Sequence, residues 1–99
     1  MRMTTTETGG ESWWFWCQGC ETHHYFRTKK GPTEVGPVWE KVPDELTFKP
    51  SLLMRVRDPI SGKMTVQCHL FLRKGMVKFL GDCAHDFKGK TVPVEDAEF

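Results

Sequence analysis

A Cys-x-x-Cys pair, formed by Cys17 and Cys20, constrains this chain more than any other feature of its sequence. This spacing lets a tight turn direct two thiolates at one metal ion while backbone amides donate to the sulfur atoms. Two further cysteines, Cys68 and Cys83, lie in the C-terminal third. A chain of 99 residues has room for one domain with a thin stability margin, so a bound metal would contribute much of its stability.

The surroundings expected for these thiols favour metal binding. No window approaches the roughly 20 apolar residues that span a bilayer, and the first residues lack the apolar segment of a signal peptide. We therefore expect a cytoplasmic protein that does not enter membranes. Because cytoplasmic thiols are kept reduced, a metal site is favoured over a disulfide framework. A thioredoxin-like role is disfavoured, since no helix follows Cys20 to stabilise a thiolate.

The sequence predicts three segments. Residues 1–11 are rich in Thr, Glu and Gly and are expected to form a flexible tail. Residues 12–94 are expected to form a zinc-stabilised β domain, and residues 95–99 form an acidic tail. The aromatic run at 12–17 and the run at 22–28 have strand composition, which predicts a first hairpin with the Cys pair at its tip.

The second half of the chain predicts further antiparallel strands. Apolar and polar residues alternate through 51–57 and 64–72, and Val77 and Phe79 point inward from the next strand. Pairing Leu72 with Val77 and Leu70 with Phe79 keeps the apolar side chains on one face. The last strand, at 91–94, must be an edge because it contains a proline. The predicted fold is mostly β: a small single-domain antiparallel β-hairpin assembly stabilised by a zinc site.

The predicted zinc ligands come from distant parts of the sequence. Extending the hairpin register places Cys68 and Cys83 diagonally on one face, within reach of one metal. Four thiolates complete a tetrahedral site, with His24 and His85 as alternatives for the last ligand. His69 alternates with the apolar face and is expected to be a surface histidine and not a ligand. The predicted set is Cys17, Cys20, Cys68 and Cys83.

Four groups of residues form recognisable motifs: Trp14-Phe15-Trp16-Cys17-Gln18-Gly19-Cys20 with His24, Leu46-Thr47-Phe48-Lys49-Pro50-Ser51-Leu52-Leu53, Cys68-His69-Leu70-Phe71, and Phe79-Leu80-Gly81-Asp82-Cys83-Ala84-His85 followed by Gly89-Lys90-Thr91-Val92. Together they resemble a family of small phage and prophage zinc-knuckle proteins of unknown function. The resemblance implies a phage setting, an unassigned role and greater weight for His24 as a ligand. Gln18 and Leu46 stand where that family has prolines.

Three functions compete at this level, and the first is a non-enzymatic interaction module. It would bind a host or phage protein, with suppression of a host defence system as one role. Its expected contact residues are Trp13, Phe15, Arg55 and Arg57, because exposed aromatic and arginine side chains mark recognition sites.

The two alternatives are single-stranded nucleic-acid binding and zinc-dependent hydrolysis or deamination. A net charge of +1 ranks nucleic-acid binding below the interaction module, because phosphate binding depends on Lys and Arg. Neither His-x-Glu nor His-Glu-x-x-His occurs in the chain, which ranks the zinc enzyme third. The sequence therefore favours a protein that is not an enzyme.

Overall fold

The computed structural model describes residues 1–97, which form nine β-strands in two antiparallel sheets and no helix. This confirms the mostly-β prediction. In the described part of the chain, no helix offers the length and apolar character needed to cross a membrane. The first sheet contains β1 (Arg2–Thr5), β2 (Glu11–Cys17), β3 (Thr22–Lys29) and β9 (Glu95–Asp96). The second contains β4 (Glu40–Lys41), β5 (Phe48–Arg57), β6 (Met64–Arg73), β7 (Met76–Phe79) and β8 (Thr91–Pro93).

Strand β2 is the centre of the first sheet. It pairs on one edge with β3, as the predicted hairpin requires, while β1 and β9 share its other edge. The expectation of a flexible tail over residues 1–11 is wrong for β1, because its main chain pairs with β2 and the Trp14 indole donates to Thr4 Oγ1 at 2.8 Å. Part of the predicted acidic tail likewise forms β9, and residues 98–99 lie outside the described residues.

The β6–β7 hairpin has the predicted register. Leu72 pairs with Val77 and Leu70 pairs with Phe79, so the apolar side chains of both strands point to one face. The ladder between these strands ends at Phe79, and the chain then forms a loop through residues 80–90. The short strand β8 forms an edge of the second sheet, as its proline predicts.

One core fills the space between the two sheets. Phe48 of the second sheet contacts both Trp13 and Phe26 of the first, at ring-centroid distances of 5.3 Å and 4.7 Å. The buried apolar residues of this core are Phe15, Cys17, Phe26, Phe48, Leu52, Cys68, Leu70, Leu72, Val77, Phe79 and Cys83.

The prediction that Phe15 forms part of an exposed binding surface is wrong. Its side chain is 0% exposed, and Trp13 is half-buried against the same core. The reason is strand alternation: Cys17 points inward, so the residues two and four positions before it on β2 also point inward. Arg55 and Arg57, the other two predicted contact residues, are exposed on β5.

Candidate metal centre and active site

Four side chains converge at one end of the core. The ligand atoms of Cys17, Cys20, Cys68 and His85 all lie within 4.8 Å of one another, and we call this group the metal cluster. The Sγ atoms of Cys17 and Cys68 are 4.0 Å apart, and Cys68 Sγ is 3.3 Å from His85 Nε2. A tetrahedral site with bonds of about 2.3 Å has edges of about 3.8 Å. The spacing and the donor types therefore fit a metal ion.

The metal cluster joins the two sheets. Cys17 ends β2 and Cys20 lies in the turn that follows, whereas Cys68 lies within β6 and His85 lies in the loop after β7. The Cys20 amide donates to Cys17 Sγ at 3.4 Å, as expected for a metal-binding turn. A metal held by these residues would cross-link elements that are distant in sequence.

The three thiols of the metal cluster shift one another's pKa values. A hydrogen bond from the Cys68 thiol, supported by the neighbouring His24, lowers the pKa of Cys17 to about 3. Donating that hydrogen bond, together with burial, raises the pKa of Cys68. Burial and the adjacent Cys17 thiolate raise the pKa of Cys20 to about 12. One thiolate is thus favoured by the protein alone, and a divalent cation would supply the charge that stabilises the other two.

Gly19 lets His85 approach the Cys17–Cys20 turn. A Cβ atom at this position would lie 2.2 Å from His85 Cε1, which is closer than real Cβ contacts allow.

We predict that Gly19→Ala displaces His85 and weakens metal binding at least about tenfold, the loss that follows when ligand orientation is disturbed. Competition with a chromophoric chelator measures this change. Gly81→Ala is the matched control, because no atom lies within 4 Å of its added Cβ. Equal affinities in the two variants would contradict the role given to Gly19.

The two other candidate ligands lie outside the metal cluster. Cys83, the predicted fourth ligand, is buried, but its thiol donates to the backbone O of His69 and accepts from the His69 amide, both at 3.2 Å. Cys83 occupies this place because the β6–β7 ladder ends before it, so the register that placed it beside Cys68 does not continue. His24 is buried beside Cys17 without belonging to the cluster. His85, an alternative in the sequence analysis, supplies the fourth donor.

Ser51, His69 and Asp82 form a second group, which we call the Ser-His-Asp cluster. Ser51 Oγ lies 3.0 Å from His69 Nε2, and His69 Nδ1 lies 3.0 Å from Asp82 Oδ2. An ionised carboxylate can only accept, so Nδ1 carries the proton and Nε2 of the neutral ring accepts from the serine hydroxyl. The two hydrogen bonds run in series from a nucleophile to a base and from that base to a carboxylate, which is the geometry of a catalytic triad.

The Ser-His-Asp cluster lies on the outer face of the second sheet. Ser51 precedes the inward-pointing Leu52 on β5, and the register with β6 shifts between Phe48 and Leu52, so Ser51 lies in an irregular segment. The indole of Trp39 donates to the Ser51 carbonyl at 3.3 Å and holds that backbone. His69 follows Cys68 directly, so strand alternation sends the thiol toward the metal cluster and the imidazole to the opposite face.

The loop that carries Asp82 is anchored to β6. The Leu80 amide donates to the His69 carbonyl at 2.9 Å, and the Ala84 amide donates to the Gln67 carbonyl at 3.1 Å. The same loop carries His85 into the metal cluster. Metal ligands and the Ser-His-Asp cluster therefore share two structural elements, β6 and this loop.

Comparison with known families gives a match over most of the chain. The model described as BubE, bacterial ubiquitination-like system serine protease, matches residues 1–80. The chain belongs to this family. No curated protein and no solved structure matched the chain.

The match to the BubE family spans most of both groups. It includes Ser51 and His69, and it includes the three cysteines of the metal cluster, whereas Asp82 and His85 follow its last residue. The BubE match carries no link to phage, so the phage setting that the resemblance implies stays a prediction.

Sequence reasoning missed the Ser-His-Asp cluster. His69 was predicted to lie at the surface and outside the metal site, and the structure places it outside the metal cluster with its ring 23% exposed. Its two partners, Ser51 and Asp82, come from different elements with no fixed spacing between them. The available signal was that all three residues lie inside the motifs that carry the family resemblance, each next to a more conspicuous proline or cysteine.

Proposed function

We propose that this chain is a serine hydrolase that cleaves peptide or isopeptide bonds. The series of two 3.0 Å hydrogen bonds through Ser51, His69 and Asp82 carries the proposal. The description of the BubE family as a serine protease also supports it.

The three side chains take the roles that their hydrogen bonds favour. Ser51 Oγ attacks the scissile carbonyl carbon while its proton passes to His69 Nε2, and the resulting imidazolium is stabilised by the Asp82 carboxylate. His69 then returns the proton to the departing amine as the C–N bond breaks, which leaves an acyl ester on Ser51. A water molecule, deprotonated by His69, hydrolyses this ester and restores the serine hydroxyl.

We propose zinc as the metal and a structural role for it. Three thiolates and one imidazole form a donor set typical of structural zinc, which contributes folding free energy when bound. Cys17, Cys20, Cys68 and His85 would hold it on the inner side of β6, whereas Ser51 is on the outer face. Four protein ligands fill a tetrahedral site, which argues against the zinc-dependent hydrolase considered from the sequence.

We propose that the substrate is a protein component of a bacterial ubiquitination-like system. The BubE description supports this setting. The open position of the Ser-His-Asp cluster on a sheet face also favours a macromolecular substrate, since the Asp82 side chain is 50% exposed. The test is incubation with a purified ubiquitin-like protein carrying a C-terminal extension, followed by mass spectrometry of the products.

Asp82→Asn tests the carboxylate role. The amide would favour the wrong tautomer of His69, so we expect kcat to fall by about 10²- to 10⁴-fold with little change in KM. Steady-state hydrolysis of a peptidyl aminomethylcoumarin measures both constants. Asp86→Asn is the matched control, because Asp86 is exposed on the same loop and is absent from both clusters. A normal kcat for Asp82→Asn would remove the carboxylate from the mechanism.

The interaction module predicted from the sequence remains the second candidate function. Its phage setting and its cytoplasmic location also stay predictions. The exposure of Arg55 and Arg57 on β5 favours it. Capture of a protein from bacterial lysate by Ser51→Ala, followed by incubation of that protein with the unmutated chain and mass spectrometry, separates the two candidates. A binding module leaves the captured protein intact, whereas a hydrolase cleaves it.

A further inference from the structure

The outer edge of β5 has little main-chain pairing. Strand β4 pairs only with Phe48 and Lys49, and within residues 1–97 no other strand joins that edge of the second sheet. The edge therefore runs unpaired from Ser51 to the end of β5 at Arg57. Unpaired strand edges present N–H and C=O groups that can bind another extended chain.

The direction of the main-chain groups of β5 follows from hydrogen bonds that β6 makes on its other edge, away from β5. The His69 amide donates to Cys83 Sγ and its carbonyl accepts from Leu80, so both groups point away from β5. Leu53 pairs with His69, and in such a pair the N–H and C=O of Leu53 also point away from β6, to the open edge. The Ser51 carbonyl, two residues earlier, accepts from the Trp39 indole on this same edge, as the alternation requires.

We infer that an extended acidic segment of the substrate binds as an added strand on the β5 edge, with its main chain paired to Leu53. The inference rests on the proposed function. A strand added about 4.8 Å from β5 would run along the edge as far as Ser51, where the Trp39 indole already occupies the main-chain carbonyl. The substrate residues on one side of the scissile bond would then be paired with β5.

Side chains along the edge define the segment that fits. Arg55 and Arg57 are exposed and take part in no ion pair with a described residue. Leu53 and Val56 are 39% and 47% exposed, so the edge offers apolar contacts beside the two cations. A strand with alternating β-branched and acidic residues matches both features.

The test uses the full-length Ser51→Ala chain, isotopically labelled, and a capped hexapeptide of alternating valine and glutamate. We expect the Leu53 amide to shift and its hydrogen exchange to slow at least about tenfold at saturation, whereas the Leu52 amide, which faces β6, changes little. Signals that shift only around Trp16 and His23, in the first sheet, would overturn the inference.

Two variants of this chain sharpen the test. Leu53→Pro removes an N–H group that the fold does not use, and Arg55→Glu reverses a charge, so each should weaken peptide binding at least about tenfold. Lys88→Glu, an exposed charge reversal in the loop after β7, is the matched control. Unchanged affinity in Arg55→Glu, and in Leu53→Pro if it folds, would contradict the inference. Binding at the edge without hydrolysis by the unmutated chain would leave the inference intact and contradict the proposed function.

Discussion

Replacing Ser51 with alanine should lower kcat/KM for peptide hydrolysis by at least about 10⁴-fold, because the variant has no nucleophile to form the acyl ester. His69 and Asp82 keep their mutual hydrogen bond in this variant, since it does not involve the serine. The fold should be unaffected, because Ser51 lies on the outer face and outside the core. Hydrolysis of peptidyl aminomethylcoumarins and a thermal unfolding curve measure the two effects separately.

Ser61→Ala is the control for that experiment. Ser61 lies in the exposed turn between β5 and β6, where its Oγ accepts from the Lys63 amide and its side chain also hydrogen-bonds to Asp58. Loss of the Ser61 hydroxyl should leave kcat/KM within about twofold of the unmutated value, as surface substitutions usually do. Residual activity in Ser51→Ala above one part in 100 would mean that another group carries the reaction.

Replacing Cys68 with serine should remove both the metal and the folded state. A structural zinc site contributes an apparent free energy of about 10 kcal/mol or more, which is comparable to the whole stability of a small domain. Cys68 is 0% exposed and sits between Cys17 and His85, so a hydroxyl there would leave the metal with three ligands. We expect about zero metal ions per chain by elemental analysis and no cooperative thermal transition.

Cys83→Ser is the matched control for Cys68→Ser. Both cysteines are buried in the same core, but Cys83 contacts the His69 backbone and lies outside the metal cluster. This variant should keep about one metal per chain and fold, with stability lower by about 1–3 kcal/mol. Metal loss in Cys83→Ser combined with retention in Cys68→Ser would reverse the assignment of the ligands.

Local pattern was enough to predict the β6–β7 hairpin and most of the metal cluster. The alternation around Leu70 and Leu72 admits one register that buries the apolar face, and that register is the one observed. Three of the four predicted thiols do converge, because Cys17 and Cys20 share a turn and Cys68 points inward from β6. The fourth donor depended on the path of the loop after Phe79, which no strand periodicity specifies.

The features that sequence reasoning missed depend on contacts between distant segments. Strand β1 has no apolar periodicity of its own and is ordered by pairing with β2. The outward position of Ser51 beside His69 requires the irregular register of β5, and Asp82 reaches His69 only because its loop is anchored to β6. Hydrogen bonds that assemble three separate elements leave no periodic signal in the chain.

Covalent labelling by diisopropyl fluorophosphate, mapped by peptide mass spectrometry, tests the central claim most directly. We expect one phosphoryl group per chain, attached to Ser51, and no labelling in His69→Gln, where the base that accepts the Ser51 proton is absent. No adduct on Ser51, or an adduct that forms equally well in His69→Gln, would contradict it.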